Sequence, residues 1–387
     1  PKYINDYISF WLYVDPKQPK QKFHSFSSWV DDAVYNYYLV NADKSFIKKI
    51  LPALDKDYRR WESERQLPDK LFWQFDVKDA MEESISGSRR DKNRRPTINS
   101  YMYGNAAALS KMGAILGNDT IKSIYAAKAA GLKKLVQDSL WDAQASFFEV
   151  KHPNGKFADA REELGFIPWY FNLPDDKAMY AKQWDQLTDP QGFNAPWGLT
   201  TAERRHPLFR THGSGHSCEW DGAVWPFATT QTLKALANLL TNYQHKNNMS
   251  PTVFYYQLHK YAMSHVKHGL PYLGEYQDEK TGYWLKGDNS PRSHYYNHSG
   301  FVDLIINDLV GLKPRADNTL EIYPLLPAGK WQWFGLDRVL YHGRYISILW
   351  DKTGGKYHRG KGLMVYADGK LVARSATLKH LLVKLPS

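Results

Sequence analysis

One cysteine in 387 residues, Cys218, leaves the chain no internal disulfide and no cysteine-based metal cluster. No apolar run approaches the eighteen or so residues a membrane span needs, so no segment reads as a transmembrane helix. The chain opens at Pro1 without a methionine, and the lack of a signal peptide therefore carries no weight for localisation. Acidic residues are fewer than basic ones, 40 against 51, for a formal net charge of +11. That excess is uneven. From Lys313 to Ser387 there are 13 Lys and Arg against 5 Asp and Glu, so the preceding 312 residues are close to neutral. A basic face confined to one end, without a recognisable reading motif, argues against a nucleic-acid-binding protein.

Aromatics are abundant at 15%, with 14 Trp and 26 Tyr, while the hydrophobic fraction of 43% and charged fraction of 24% are ordinary for a globular chain. A large helical core uses aromatics freely. Sugar rings offer a second reason, because their flat C–H faces stack on Trp and Tyr while their hydroxyls seek polar partners.

Helical periodicity runs near 3–14, 26–41, 44–64, 98–116, 119–139, 176–187, 222–244, 251–267 and 293–311. Asn118-Asp119 and Ser250-Pro251 read as helix starts. Long aromatic, Gly-punctuated loops at about 65–97, 141–175, 188–221 and 268–292 separate these segments, and loops of that length tend to be functional. After Leu312 the pattern becomes β-like: 318–323, 339–350, 362–366 and 371–374 are apolar runs, with a hairpin signal at Asp368-Gly369. The reading is a helical domain over 1–312 and a small antiparallel β domain, sandwich-like, over 313–387.

Two acidic clusters lie in those loops. Asp79-Ala80-Met81-Glu82-Glu83 is flanked by Trp73, Arg89 and Arg90; Gly274-Glu275-Tyr276 is followed by Thr281-Gly282. A carboxyl among apolar rings and other carboxylates has its pKa raised, which suits a general acid. A lone carboxylate such as Glu275 is either hydrogen-bonded in the core or poised over water. Two carboxylates facing each other across a pocket are the minimal equipment for hydrolysing a glycosidic bond. A third segment, Cys218-Glu219-Trp220-Asp221-Gly222-Ala223-Val224-Trp225-Pro226-Phe227, either lines a sugar subsite with Glu219, Asp221 and its tryptophans or is an acidic helix start. His212 and His216, separated by Gly213-Ser214-Gly215, make a poor metal site, so no metal is expected.

Taken in order, these motifs resemble those of the (α/α)6-toroid glycosidases of glycoside hydrolase family 63 and their mannosylglycerate-hydrolase-like relatives, from about Trp29 to Leu312. Trp29-Val-Asp-Asp32 resembles the family's Trp-x-x-Asp. Ala80-Met-Glu-Glu-Ser84 resembles Gly-Met-Asp-Asn-Ser, whose Asp is the general acid. Gly192-Phe-Asn-Ala-Pro-Trp-Gly-Leu199 resembles the loop before the third site segment. Glu219-Trp-Asp-Gly-Ala-Val-Trp-Pro226 resembles Tyr-Trp-Arg-Gly-Pro-Val-Trp-Pro, and Gly274-Glu-Tyr with Thr281-Gly282 resembles the segment carrying the general base.

The resemblance implies an (α/α)6 toroid with a C-terminal β domain, and an exo-acting, inverting glycosidase acting on an oligosaccharide or polysaccharide in the periplasm or outside the cell. It places the acid on Glu82 and the base on Glu275. Glu replaces Asp at the acid position, Glu83 replaces Asn and Ala80 replaces Gly, so Asp79 and Glu83 remain rivals for the acid. Asp221 stands where the family has Arg. Substrate contacts are expected from Trp29, Asp32, Trp73, Asp79, Arg89, Tyr101, Asn105, Glu219, Trp220, Asp221, Trp225 and Trp284; Tyr101 and Asn105 are equally readable as satisfying polar groups inside the ring. No cofactor is implied, and a structural calcium is left open. Twelve helices are expected of such a ring against the nine read above. Residues missing ahead of Pro1, or a short unread helix near 162–172, would account for the shortfall. A non-catalytic carbohydrate-binding ring and a polysaccharide lyase are the rival readings.

Overall fold

Helix starts are set by local chemistry in this chain. Asp43 Oδ1 accepts the backbone N–H groups of Ser45 and Phe46 at 2.9 and 3.0 Å, Asn118 Oδ1 accepts that of Ile121, and Ser250 Oγ accepts that of Val253. Pro96 and Pro226 open two further starts and Pro251 follows the Ser250 cap, at first positions where a missing N–H costs nothing. The computed structural model describes residues 26–211, 218–285, 296 and 298–385. Among them are six long helices: α1 (Val30–Asn41), α2 (Lys44–Arg65), α3 (Pro96–Ile115), α4 (Asp119–Leu140), α5 (Pro226–Asn242) and α6 (Pro251–Ser264). None is long and apolar enough to cross a membrane.

Burial sorts these helices into two layers. α3 and α5 are buried on most of their faces, including the polar Asn99, Ser100 and Asn105 of one and the Thr229, Gln231 and Asn238 of the other. α2, α4 and α6 each bury one stripe, such as Phe46, Ile47, Ile50, Leu54, Tyr58 and Trp61 on α2. An inner set surrounded by protein and an outer set with one wet face is the double wall of an (α/α)6 toroid.

The remaining wall is built from short pieces. The helix read at 176–187 is three successive turns, Ala178–Ala181, Lys182–Trp184 and Asp185–Thr188. The unread helix near 162–172 exists as a 3-10 turn, Glu163–Phe166, running into Ile167–Tyr170. The segment read at 293–311 is helical from Gly300, with wide π turns over Leu304–Leu309. The segment near 3–14 lies outside the described residues.

From Leu312 the chain forms two antiparallel sheets from seven strands: β1 (Leu312–Lys313), β2 (Thr319–Ile322), β3 (Trp333–Tyr341), β4 (Arg344–Asp351), β5 (Gly362–Ala367), β6 (Lys370–Ser375) and β7 (Leu381–Lys384). One sheet has the order β6-β5-β4-β3, the other β7-β2-β1. Asp368-Gly369, with both φ positive, turns β5 into β6 as the Asp-Gly signal implies. The run 339–350 is not one strand: His342-Gly343, also with positive φ at both residues, folds it into the β3–β4 hairpin. That turn reaches the helical part. His342 N–H donates to Val40 O at 2.8 Å and its Nε2 bonds Leu39 O at 2.9 Å, at the end of α1.

Candidate active site

The long loops pair with one another rather than hanging free. Isolated antiparallel bridges link Trp73 to Arg94 and Arg94 to Lys151, and a second series runs from Thr200 to Val224, Val224 to Gln277 and Gln277 to Trp284. Segment 218–225 is the stitch between the two acidic loops. Trp220 N–H donates to Glu82 O at 3.1 Å, and Val224 and Gln277 exchange both backbone hydrogen bonds at 2.9 Å, two residues beyond Glu275.

Glu82 and Glu275 thereby line one cavity of about 300 Å³ with Ala80, Cys218, Trp220, Trp225, Phe227 and Tyr296. Trp220 stacks on Trp225 at 4.4 Å, and Trp225 on Tyr276 at 4.6 Å, so the two cavity-lining indoles are backed by a third ring. Burial pushes the Glu82 carboxyl above its ordinary range; the Asp76 and Glu275 charges add to this and Arg89 opposes it. Glu82 thus keeps its proton to a higher pH than a solvated glutamate, and it senses the charge of Glu275 across the cavity.

The Glu82 loop holds its shape at a cost. Ala80 and Glu83 have φ of +58° and +62°, the left-handed region that the family's Gly and Asn enter more easily. Asp79 anchors the loop from below: its carboxylate is fully buried against Arg95 Nε at 2.7 Å and the Thr97 hydroxyl. Glu83 turns to the outside and pairs with Arg89 at 2.9 Å. Among the three rivals for the acid, Glu82 is the one that lines the cavity.

The Glu275 loop leaves a short hairpin (Val266–Lys267 paired with Leu270–Pro271) and is clamped at Gly274. His298 Nε2 donates to Gly274 O at 2.6 Å, and a Cβ at residue 274 would fall 2.3 Å from Trp284 Cε3 and 2.6 Å from Tyr272 Cε1. Burial lowers the His298 pKa to about 4, so this ring is a neutral donor near pH 7.

The other expected contact residues divide by distance from the cavity. Glu219 is buried just behind it, its Oε2 accepting the Tyr276 hydroxyl at 3.1 Å and its carbonyl accepting Trp225 Nε1 at 2.8 Å. Trp29 packs 6.4 Å from the cavity-lining Phe227 and 4.7 Å from Tyr101, whose hydroxyl accepts from Gln231 Nε2 at 3.0 Å. Asn105 clamps the start of α1, accepting Asp31 N–H at 3.1 Å and donating to Ser28 O at 3.0 Å. Asp32 bonds Asn36 and has a pKa raised by burial to about 6, which Lys111 and Lys234 partly offset. Asp221 pairs with Arg210 and does not line the cavity.

Two tryptophans expected at the pocket do not line it. Trp73 is buried between Arg65 and Lys92, 4.4 and 5.0 Å from its ring, where it braces the base of the acid loop. Trp284 packs behind the base loop with Nε1 on Val266 O at 3.3 Å. Both adjoin a carboxylate loop in sequence, but each is buried against the protein's own side chains and backbone. Arg89 is likewise exposed on Glu83 and absent from the lining. Phe227, Tyr296 and Cys218 line the cavity without having been read as site residues; Phe227, directly after the Trp-Pro motif, carried the only usable signal. Among the described residues no cluster of three His, Cys, Asp or Glu is arranged to hold a metal, and His212 and His216 lie outside them.

Residues 1–299 match the mannosylglycerate hydrolase MGH1-like glycoside hydrolase domain, and residues 312–374 the C-terminal domain of glycosyl hydrolase family 65. The chain belongs to the MGH1-like glycoside hydrolase family. A solved structure named sialidase superposes on this glycoside hydrolase with a TM-score of 0.95 at 51% identity, over 99% of this chain and 35% of that one. The family 63 mannosylglycerate hydrolase from Thermus thermophilus, solved with glucose, shares the fold at a TM-score of 0.58 and 13% identity, over 76% of this chain and 80% of that one. An uncharacterized protein of Borreliella burgdorferi is 24% identical over 204 residues, which is 53% of this chain and 41% of that protein. This glycoside hydrolase therefore spans well under half the length of that protein and of the sialidase chain.

Proposed function

We propose that this domain is an exo-acting, inverting glycosidase that removes a terminal sugar from an oligosaccharide or polysaccharide side chain. Glu82 is the general acid that protonates the leaving oxygen, and Glu275 the general base that deprotonates the attacking water. The observation that carries this reading is the shared cavity, with segment 218–225 tying both carboxylate loops together.

A volume of about 300 Å³ stands at the small end of ligand pockets, ~300–1,000 Å³, and suits one sugar residue rather than a run of them. A cavity of that volume, lined by both carboxylates, has room for the attacking water that inversion needs between carboxyls ~6.5–9.5 Å apart, rather than the ~5 Å of a retaining pair. Action in the periplasm or outside the cell is part of the same proposal, because polymeric glycans are met there.

The test is a panel of aryl glycosides and plant oligosaccharides, with the first-formed anomer followed by NMR. Glu82→Gln and Glu275→Gln are each expected to lower kcat by about 10³-fold or more without loss of fold. Wild-type turnover in either variant removes that residue from the mechanism. A product absorbing in the ultraviolet would mark a lyase instead.

A further inference from the structure

Beside the catalytic cavity lies a second void of about 10 Å³, walled entirely by buried residues, among them Met81, Ser84, Glu163, Trp220, Gln231 and Thr232. Glu163 is 3% exposed, yet neither of its carboxyl oxygens has a hydrogen-bond partner. The same holds for Gln231 Oε1, Thr232 Oγ1, Ser84 Oγ and Trp220 Nε1. Thr232 is near enough to weigh on the Glu163 carboxyl, but without hydrogen-bonding geometry.

A buried polar atom without a partner carries its full desolvation penalty, so this many around one void exceeds what a fold sustains unless something inside pairs with them. The void has the size of about one water molecule, which needs ~10–15 Å³ and two to four polar partners. Burial holds Glu163 well above the usual carboxylate range, which keeps it neutral and able to donate as well as accept.

The walls of this void are the supports of Glu82. Met81 and Ser84 bracket it in sequence, and Trp220 N–H holds its carbonyl. The other walls are rigid. Glu163 opens the turn whose Gly165 O accepts Gln183 Nε2 at 2.7 Å, and its own N–H donates to Thr201 O at 2.8 Å; Gln231 and Thr232 stand on α5.

We propose that Glu163, Gln231, Thr232 and Ser84 bind one structural water molecule, and that this hydrated cluster positions the Glu82 loop. Glu163 is then a positioning residue that never touches substrate. The positioning role rests on the reading of Glu82 as the acid; the water site does not.

Glu163→Leu removes the polar wall, while Glu163→Gln keeps groups able to bond the same water. On an aryl glycoside that the wild type cleaves, Glu163→Leu is expected to lower kcat about tenfold with KM within about twofold. Its loosened loop admits water to Glu82, so the basic limb of the kcat–pH profile moves down by about half a unit or more. Glu163→Gln is expected to stay within about twofold of wild type and to keep its limb. Should Glu163→Leu fail to fold, Thr232→Val, which deletes only a hydroxyl, shifts the limb the same way. A high-resolution crystal structure of the wild type is expected to show one water in the void.

An unmoved limb in Glu163→Leu, or in Thr232→Val where Glu163→Leu does not fold, overturns the positioning role, as does Glu163→Gln being as impaired as Glu163→Leu. A direct Glu163–Ser84 hydrogen bond with no water between them overturns the site. If Glu82→Gln remains active, the acid assignment fails by itself, and the density in the void still decides whether the water is bound.

Discussion

Gly274→Ala is the sharpest probe of how the base is held. The added methyl would sit 2.3 Å from Trp284 Cε3 and 2.6 Å from Tyr272 Cε1, where carbon atoms rest comfortably at ~3.5–4.0 Å. Something must therefore move by about 1 Å. Trp284 is 1% exposed and Nε1-bonded to Val266 O, so the ring has little room to retreat. The backbone yields instead, carrying Glu275 with it and stretching the His298–Gly274 hydrogen bond. Overpacking of this kind costs about 1–3 kcal/mol of stability. A displacement of that size at a reacting group costs about 10²-fold in rate, equivalent to ~2.7 kcal/mol of barrier.

The assay is steady-state kinetics on the best aryl glycoside, beside thermal unfolding. Gly269→Ala is the control. It sits in the hairpin feeding the same loop, at φ +77° with nothing within 4 Å of where its methyl would stand, so it strains the backbone without a clash. We expect Gly269→Ala to lose about 1 kcal/mol of stability while keeping its rate. Gly274→Ala with kcat within about threefold of wild type would refute the clamp.

The acid loop offers a gain of stability. Releasing Ala80 from its left-handed strain is worth about 1–2 kcal/mol, of which the extra freedom of glycine in the unfolded chain takes back ~0.4–1 kcal/mol. Ala80→Gly should therefore raise the urea midpoint, and a lower midpoint would contradict the strain argument. His298 should contribute one acid-sensitive step to stability. Its pKa falls from 6.5 in the unfolded chain to about 4 when folded, so the unfolded state binds the extra proton between those values. Stability is then fully present above pH 6.5 and is lost as pH falls toward 4. His298→Gln should flatten the dependence of unfolding free energy on pH across that window; an unchanged slope would reassign the effect.

How much of this was legible in the sequence follows from what each feature depends on. The long helices announced themselves because caps and apolar stripes are local: Asn118 and Ser250 sit where their helices begin. The segment 176–187 carries helical periodicity but closes only single turns, since its side chains answer to neighbours in the ring rather than to one continuous face. Glu82 and Glu275 were legible as a pair through ordered motifs, whereas choosing among Asp79, Glu82 and Glu83 needed Arg95, which lies thirteen residues beyond Glu82 and only the fold brings under the loop. Trp73 and Trp284 misled for a related reason. Aromatic character shows affinity for apolar surroundings without saying whether these are a ligand's or the protein's own. His342-Gly343 hid inside an apolar run because histidine is not a habitual turn former, and its left-handed φ is imposed by strand pairing on both sides.

The bonds from His342 to the carbonyls of Leu39 and Val40 give the β sheets a duty in the helical ring. A helix's last carbonyls have no partners of their own, and here a hairpin some three hundred residues downstream supplies them for α1, whose opposite end begins beside Trp29. Anyone trimming the chain to its helical part would be removing a lid from that helix, and should expect fraying to travel back toward the cavity lined by Glu82 and Glu275. The sheets are better regarded as the ring's missing bracket than as cargo.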